Sequence, residues 1–237
     1  LSIQVCMDGF SFLITDPVEN EILASKNLTV KISNNNLLAR HLKEWIESEP
    51  LLKNAYKAVR LFFYSENFTL IPEEYIGKEK QRNLTSVLFD KKLSGNFIEN
   101  KTGNSDINLL FPVPQDILNV LNPLYKNIEI LHPVTNLIEM GTGNLSFILS
   151  SKNHFYLVVF KKGKLVLAGN FQVQHENDLI YNVINSFHQM EISRSETELY
   201  ISSAIDKKTE IENLLLPYFD RINILKTEKL IAKTAVT

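Results

Sequence analysis

The chain has one cysteine, Cys6, in 237 residues, which excludes an internal disulfide and any zinc site built from several thiolates. Cys6 lies in an alternating stretch, where a free thiol serves as a small buried side chain. No GxxxxGK[ST] phosphate loop and no GxSxG nucleophile elbow occur among the eight glycines. The five histidines, His41, His132, His154, His175 and His188, never stand at the HExxH spacing of a helical metal site. No segment approaches the ~20 apolar residues that span a bilayer. The opening Leu1-Ser2-Ile3-Gln4-Val5 lacks the basic flank and continuous apolar run of a signal peptide. An excess of one charge is missing too. The formal net charge of −2 provides no overall basic field toward nucleic acid or anionic lipid. These absences predict a cytoplasmic protein with no membrane span and no nucleic-acid partner.

Apolar residues make up 44% and charged residues 22% of the chain, the balance of a globular protein with a proper core. Lys78, Lys80 and Arg82 cluster, as do Lys161, Lys162 and Lys164; each cluster reads as a solvated turn or helix face. Leu1, Ile3, Val5 and Met7 alternate with Ser2, Gln4 and Cys6, which predicts a strand with one apolar face. Asp8-Gly9 marks a tight turn into a second strand over 10–15, and a third is expected over 21–30. Asn34, Asn35 or Asn36 caps a helix whose apolar face is Leu38, Leu42, Trp45 and Ile46, closed by Pro50. Val59 to Tyr64 reads as a further strand.

The second half repeats this order. Strands are expected over 145–150, 155–160 and 165–173. A helix follows with Leu179, Ile180, Val183, Ile184, Phe187 and Met190 on its apolar face, then a strand over 199–202. Ile211, Leu214, Leu215 and Phe219 suggest a final helix. Between the halves come a strand over 107–113, a helix begun by Pro114, a short strand over 127–131 and a helical turn after Pro133. The polar stretch 91–105 reads as a loop, and Gly141-Thr142-Gly143-Asn144 as the domain boundary. The expected division is 1–142 as a first half with a loop or small insertion near 65–105, 143–225 as a second half, and 226–237 as a weakly ordered tail.

Phe68-Thr69-Leu70-Ile71-Pro72-Glu73-Glu74, Leu109-Leu110-Phe111-Pro112-Val113-Pro114, the hairpin Phe155 to Phe171 and Glu198-Leu199-Tyr200-Ile201-Ser202 together resemble a small bacterial family of unknown function. That family has an actin-like ATPase fold and is distantly similar to pilus-assembly and cell-division members of that superfamily. The resemblance implies an α/β, duplicated ribonuclease H-like architecture: two mixed sheets flanked by helices, with an interdomain cleft. It implies little about function, because these are structural motifs.

In active members of the superfamily the first hairpin turn offers an Asp, one spacer and a Gly. The carboxylate orders magnesium-bound water and the Gly lets backbone N–H groups reach phosphate. Here Asp8 and Gly9 are adjacent, without the spacer. The second phosphate loop reads Ser150-Ser151-Lys152-Asn153, with neither carboxylate nor glycine. The adenosine loop reads Ser202-Ser203-Ala204 where paired glycines are expected, so Cβ atoms intrude. Asp8, Gly9, Ser151, Lys152, Asn153, Ser202 and Ser203 therefore outline a vestigial cleft, and no catalytic or metal-ligating residue is assigned. The expected function is a non-catalytic cytoplasmic scaffold that binds a protein partner, with no cofactor and with room for a homodimer. The alternative is a nucleotide-binding switch with a degenerate ATP site; an accessory role to an RNA-modifying enzyme is a weaker third.

Overall fold

The computed structural model describes residues 1–19, 21–75, 89, 96–103, 106–151, 153–203, 208–226 and 230. The chain divides into two compact units after Thr135, each described here by itself.

The first unit is built on a five-stranded sheet ordered β3-β2-β1-β4-β8. Its strands are β1 (Ser2–Cys6), β2 (Gly9–Asp16), β3 (Glu21–Thr29), β4 (Val59–Phe63) and β8 (Ile128–Leu131). The first three form an antiparallel meander, and β4 runs parallel to both β1 and β8. Helix α1 (Asn35–Ser48) is capped by Asn34, whose Oδ1 accepts from the Leu37 N–H at 2.9 Å. This satisfies a backbone donor that a helix start would otherwise leave without a partner. The α1 face is the one its periodicity predicts: Leu38, Leu42, Trp45 and Ile46 are all buried. Trp45 lies against the rings of Phe10 and Phe12 on β2, at 5.5 and 5.9 Å between centroids.

Strand β1 departs from the one-sided expectation. Ser2, Gln4 and Cys6 are buried along with Ile3 and Val5, so both faces are covered. The polar face is partly satisfied by Tyr64, whose hydroxyl donates to Gln4 Oε1 at 3.3 Å.

Between β4 and the short helix α2 (Gln115–Leu121) lies a second, three-stranded sheet ordered β5-β7-β6. Its members are β5 (Thr69–Pro72), β6 (Asn96–Lys101) and β7 (Ile107–Val113), all antiparallel. The loop expected over 91–105 is thereby corrected: its middle is strand β6. Asn96-Phe97-Ile98-Glu99-Asn100-Lys101 has no clean apolar alternation, because both faces carry polar groups. Pairing with the apolar β7 determines its conformation, and tertiary context decides strand propensity in such cases. Pro114 takes the cap position of α2 rather than its first turn. The Lys78, Lys80 and Arg82 cluster lies outside the described residues.

The second unit repeats the order as β11-β10-β9-β12-β13. Its strands are β9 (Leu145–Ser150), β10 (His154–Lys161), β11 (Lys164–Gln172), β12 (Glu198–Ser203) and β13 (Ile222–Ile224). The pairings match those of the first sheet: an antiparallel meander, then β12 parallel to β9 and to β13. Helix α3 (Pro133–Glu139) precedes the sheet, while α4 (Glu176–Gln189) and α5 (Lys208–Leu215) flank it. Phe155, Leu157, Val183, Phe187, Leu199 and Ile201 centre its core.

Met190, expected on the buried face of α4, instead ends the helix and is 37% exposed. Lys161 is not merely solvated. Its ammonium donates to the Met190 and Glu191 carbonyls at 3.3 and 2.9 Å, a cation at the negative end of α4. The segment Gly141–Asn144 is fastened into this unit. Gly143 accepts from the Gly163 N–H at 2.7 Å, and Asn144 accepts from Lys162 and Glu198. Of the expected tail, residues 227–229 and 231–237 lie outside the described residues.

Candidate functional site

In open α/β sheets, ligands are met beyond the carboxyl ends of the parallel strands. In the first unit that end carries the Met7-Asp8 turn. Gly9 has φ +141°, and a Cβ there would collide with the Leu28 carbonyl of β3. The glycine is thus required by the close approach of two strands. The turn's carbonyls are engaged as well: Asp8 O accepts from Val30 N–H at 3.0 Å and Met7 O from Ile32 N–H at 3.3 Å. Cys6 Sγ donates to Gly9 O at 3.4 Å. Burial, reinforced by the nearby Asp8 carboxylate, pushes the Cys6 thiol up to about 12, so it is no nucleophile at neutral pH.

A depression of about 200 Å³ opens beside this turn, lined by Met7, Asn35, Phe63, Tyr64, Glu66 and Pro114 among others. The 65–67 segment on its rim is pinned from below by His132, which is fully buried. His132 Nδ1 accepts from the Val134 N–H at 3.2 Å, so Nε2 carries the proton and donates to Ser65 O at 2.9 Å. The His132 N–H donates to Asn100 Oδ1 at 2.7 Å, and Asn100 Nδ2 donates to Ile130 O at 2.8 Å. The rings of Phe68 and Phe111 close on the imidazole at 4.9 and 5.1 Å. Sequence reading missed this network, because Asn100 sits in the stretch taken for a loop. The only available signal was the placement of His132 between a strand and Pro133.

In the second unit, the turn between β9 and β10 is tied to itself. Ser150 Oγ donates to Ser151 O at 3.1 Å and Ser151 N–H to His154 O at 2.9 Å. Asn153 is exposed, and its carbonyl accepts from Val173 N–H at 2.7 Å. Ser203 pairs in register with Ser150, and its hydroxyl donates to Ser150 O at 3.4 Å. Ser202 and Ser203 are 1% and 4% exposed. The structure therefore brings Ser150, Ser151 and Ser203 together. Asp8 and Gly9 adjoin each other in the other unit, while Lys152 and Ala204 lie outside the described residues. Phe155, Tyr156 and Phe160 are core residues at 0–1% exposure. Among the described residues no three His, Cys, Asp or Glu side chains come together as a metal site.

The duplicated sheet order and these strand-end turns define an actin-like ATPase fold. The chain belongs to the family described as "protein of unknown function (DUF3822)", whose model matches residues 1–222. No curated protein matches it. It is similar to a Bacteroides thetaiotaomicron protein with an actin-like ATPase fold and unknown function, at 24% identity and TM-score 0.80 over 100% of this chain and 94% of that one. The cytoplasmic domain of EpsL, an inner membrane component of the Vibrio cholerae type II secretion system, shares the fold at 11% identity and TM-score 0.56, covering 99% and 92%. So does a chain of the PilM–PilN type IV pilus biogenesis complex, at 8% identity and TM-score 0.58, covering 99% and 98%.

Proposed function

We propose that this chain is a non-hydrolysing member of the actin-like fold that acts in the cytoplasm by holding a protein partner. One observation carries the reading: Gly9, Ser150, Ser151 and Ser203, at the expected phosphate and adenosine positions, are committed to the fold itself. Gly9 serves the approach of β3, the Ser150–Ser151 turn bonds to itself, and Ser203 closes onto Ser150. A nucleotide triphosphate would need a carboxylate near the second turn to help hold its metal. None is present in Ser150-Ser151-Lys152-Asn153. The depression beside the Met7-Asp8 turn, at about 200 Å³, is below the ~300–1,000 Å³ of ordinary ligand pockets. Among the described residues no helix is long and apolar enough to cross a membrane. Two proteins of the same fold stand in assemblies, a pilus biogenesis complex and a secretion system; a protein partner is the corresponding proposal here.

Thermal melts with and without magnesium ATP test this. A ligand bound only to the folded state stabilises it by about 2.7 kcal/mol at a hundredfold excess over Kd, so a true site shifts the melt visibly at millimolar nucleotide. No shift is expected. A magnesium-dependent shift abolished by Asp8→Ala would replace this reading with the nucleotide switch using Asp8, Gly9, Ser151, Lys152 and Ser203.

A further inference from the structure

We infer that the depression beside the Met7-Asp8 turn is a socket for one side chain of the protein partner, a phenylalanine or leucine with a lysine or arginine next to it. The inference rests on the partner-holding reading above and names the partner's chemistry. The floor of the socket is apolar. Leu38 of α1, Phe63 of β4 and Pro112 of β7 are buried there, and Met7 and Pro114 are half-buried beside them. The polar groups in its walls are turned into the fold: Cys6 Sγ donates to Gly9 O and the Tyr64 hydroxyl to Gln4 Oε1. A polar guest would give up water there without gaining partners, and an apolar guest would not. The volume, about 200 Å³, decides the size of the guest, since an apolar cavity of about 150 Å³ takes up benzene. One phenyl or leucyl group fits.

The walls are fixed before any guest arrives. His132 Nε2 donates to Ser65 O and Ser65 Oγ to Asn67 O, each at 2.9 Å. The Ile32 N–H holds Met7 O, and Asn34 caps the first turn of α1. A preformed pocket loses little conformational entropy on filling. Anchor side chains buried in such pockets carry most of the energy of a protein interface. The buried His132 network thereby shapes the lip of the socket.

Charge at the rim selects what flanks the anchor. Asn35, Glu66 and Asn67 are exposed on the lip. Among the described residues the side-chain amides of Asn35 and Asn67 have no partner, which leaves them for the backbone of a bound segment. Three carboxylates border the opening: Glu66 itself, Asp8 next to Met7, and Asp116 two residues beyond Pro114. Against them stand Lys31, next to the residue that bonds Met7, and Arg40, which is drawn to Glu44 one turn further along α1. An acidic rim around an apolar floor favours a segment with a cation beside its anchor and opposes an acidic one.

Panning random dodecapeptides on the whole chain tests the inference, with Asn35→Trp and Asn67→Trp plugging the socket from either lip. Both positions are exposed, so both variants should melt as wild type does. The wild type should enrich peptides with Phe or Leu beside Lys or Arg. Their affinity should fall about tenfold or more on either plugged variant and about tenfold on Glu66→Lys. Changing the peptide's cation to Glu should restore binding to Glu66→Lys. Failure to enrich any peptide, enrichment without a cation, or equal binding to both plugged variants overturns the inference. Self-association of the chain that either tryptophan abolishes overturns it too, because the guest is then a second copy. The two readings fail separately. Peptides that bind the plugged variants equally remove the socket and leave a partner-holding protein, whereas a magnesium-dependent ATP shift in the melts removes the partner-holding reading whatever the peptides do.

Discussion

Replacing Trp45 separates two effects that the structure superimposes on one side chain. The indole is 5% exposed and packs on Phe10 and Phe12, yet its buried Nε1–H has no acceptor. Trp45→Ala loses transfer energy and leaves a cavity, about 3–5 kcal/mol. Losing two aromatic contacts adds about 0.5–1.5 kcal/mol each. Removing an orphaned donor returns about 1–3 kcal/mol. The expected net loss is about 4 kcal/mol. Trp45→Phe keeps a ring against Phe10 and discards the same donor. The few lost contacts and the relieved N–H then nearly cancel, leaving stability within about 1 kcal/mol of wild type. Trp45 is the only tryptophan, so neither variant retains its fluorescence. Urea melts followed by far-ultraviolet circular dichroism serve all three proteins. A loss below about 1 kcal/mol for the alanine variant would show that α1 does not cover the first sheet as described. A phenylalanine variant as unstable as the alanine one would show that the indole N–H is satisfied.

His132→Ala should cost about 3 kcal/mol, because it opens a cavity and removes the hydrogen bonds to Ser65 O and from the Val134 N–H; amide exchange over residues 65–67 should quicken together with it. Alkaline stability should depend on Cys6. Its folded value of about 12 exceeds that of an unfolded thiol, so its contribution is complete below about pH 8.5 and is lost as pH rises toward 12. Between pH 8 and 11 the wild type should therefore lose about 2–3 kcal/mol more than Cys6→Ala, and an equal loss in both would refute the buried thiol. Asp178, held below the usual carboxylate range by N–H donation from His175 and Gln174, works in the opposite direction. Its contribution is complete above about pH 4 and disappears as pH falls through the lowered folded value. Asp178→Asn should flatten that acid limb of the melting curve.

Where pattern reports burial directly, the sequence was legible. The alternation of the first hairpin, the Leu38–Ile46 face of α1 and the matching face of α4 follow from periods of two and 3.6. The same order of elements in both halves, three strands, a helix and a further strand, then followed from spacing. Legibility stopped where a segment's conformation is imposed by its neighbour. Strand β6 pairs with β7 despite its polar residues. Strand β13, only Ile222–Ile224, exists because β12 offers it a parallel edge. Neither carries enough period of its own to be seen. The buried second face of β1 escaped for a related reason: Ser2 and Gln4 look solvent-ready until Tyr64 and the surrounding fold cover them.

The candidate site shows the same division more sharply. The absence of a second-turn carboxylate was visible in the letters, and so was the missing glycine pair after β12. The local job done by the residues that remain was not. Gly9 read both as a tight-turn glycine and as a phosphate-loop remnant; what the letters did not show is the approach of the Leu28 carbonyl, which requires a glycine there whatever binds nearby. The two accounts differ in what Gly9→Ala would do. A phosphate-loop residue could be replaced without loss of stability, at the expense of ligand alone. Here the new Cβ meets backbone, which cannot swing aside as a side chain can, and φ of +141° is strained for any L-residue. Gly9→Ala should therefore destabilise the first unit by about 2–4 kcal/mol without any nucleotide present. An unchanged melt would return Gly9 to the list of residues kept for a ligand.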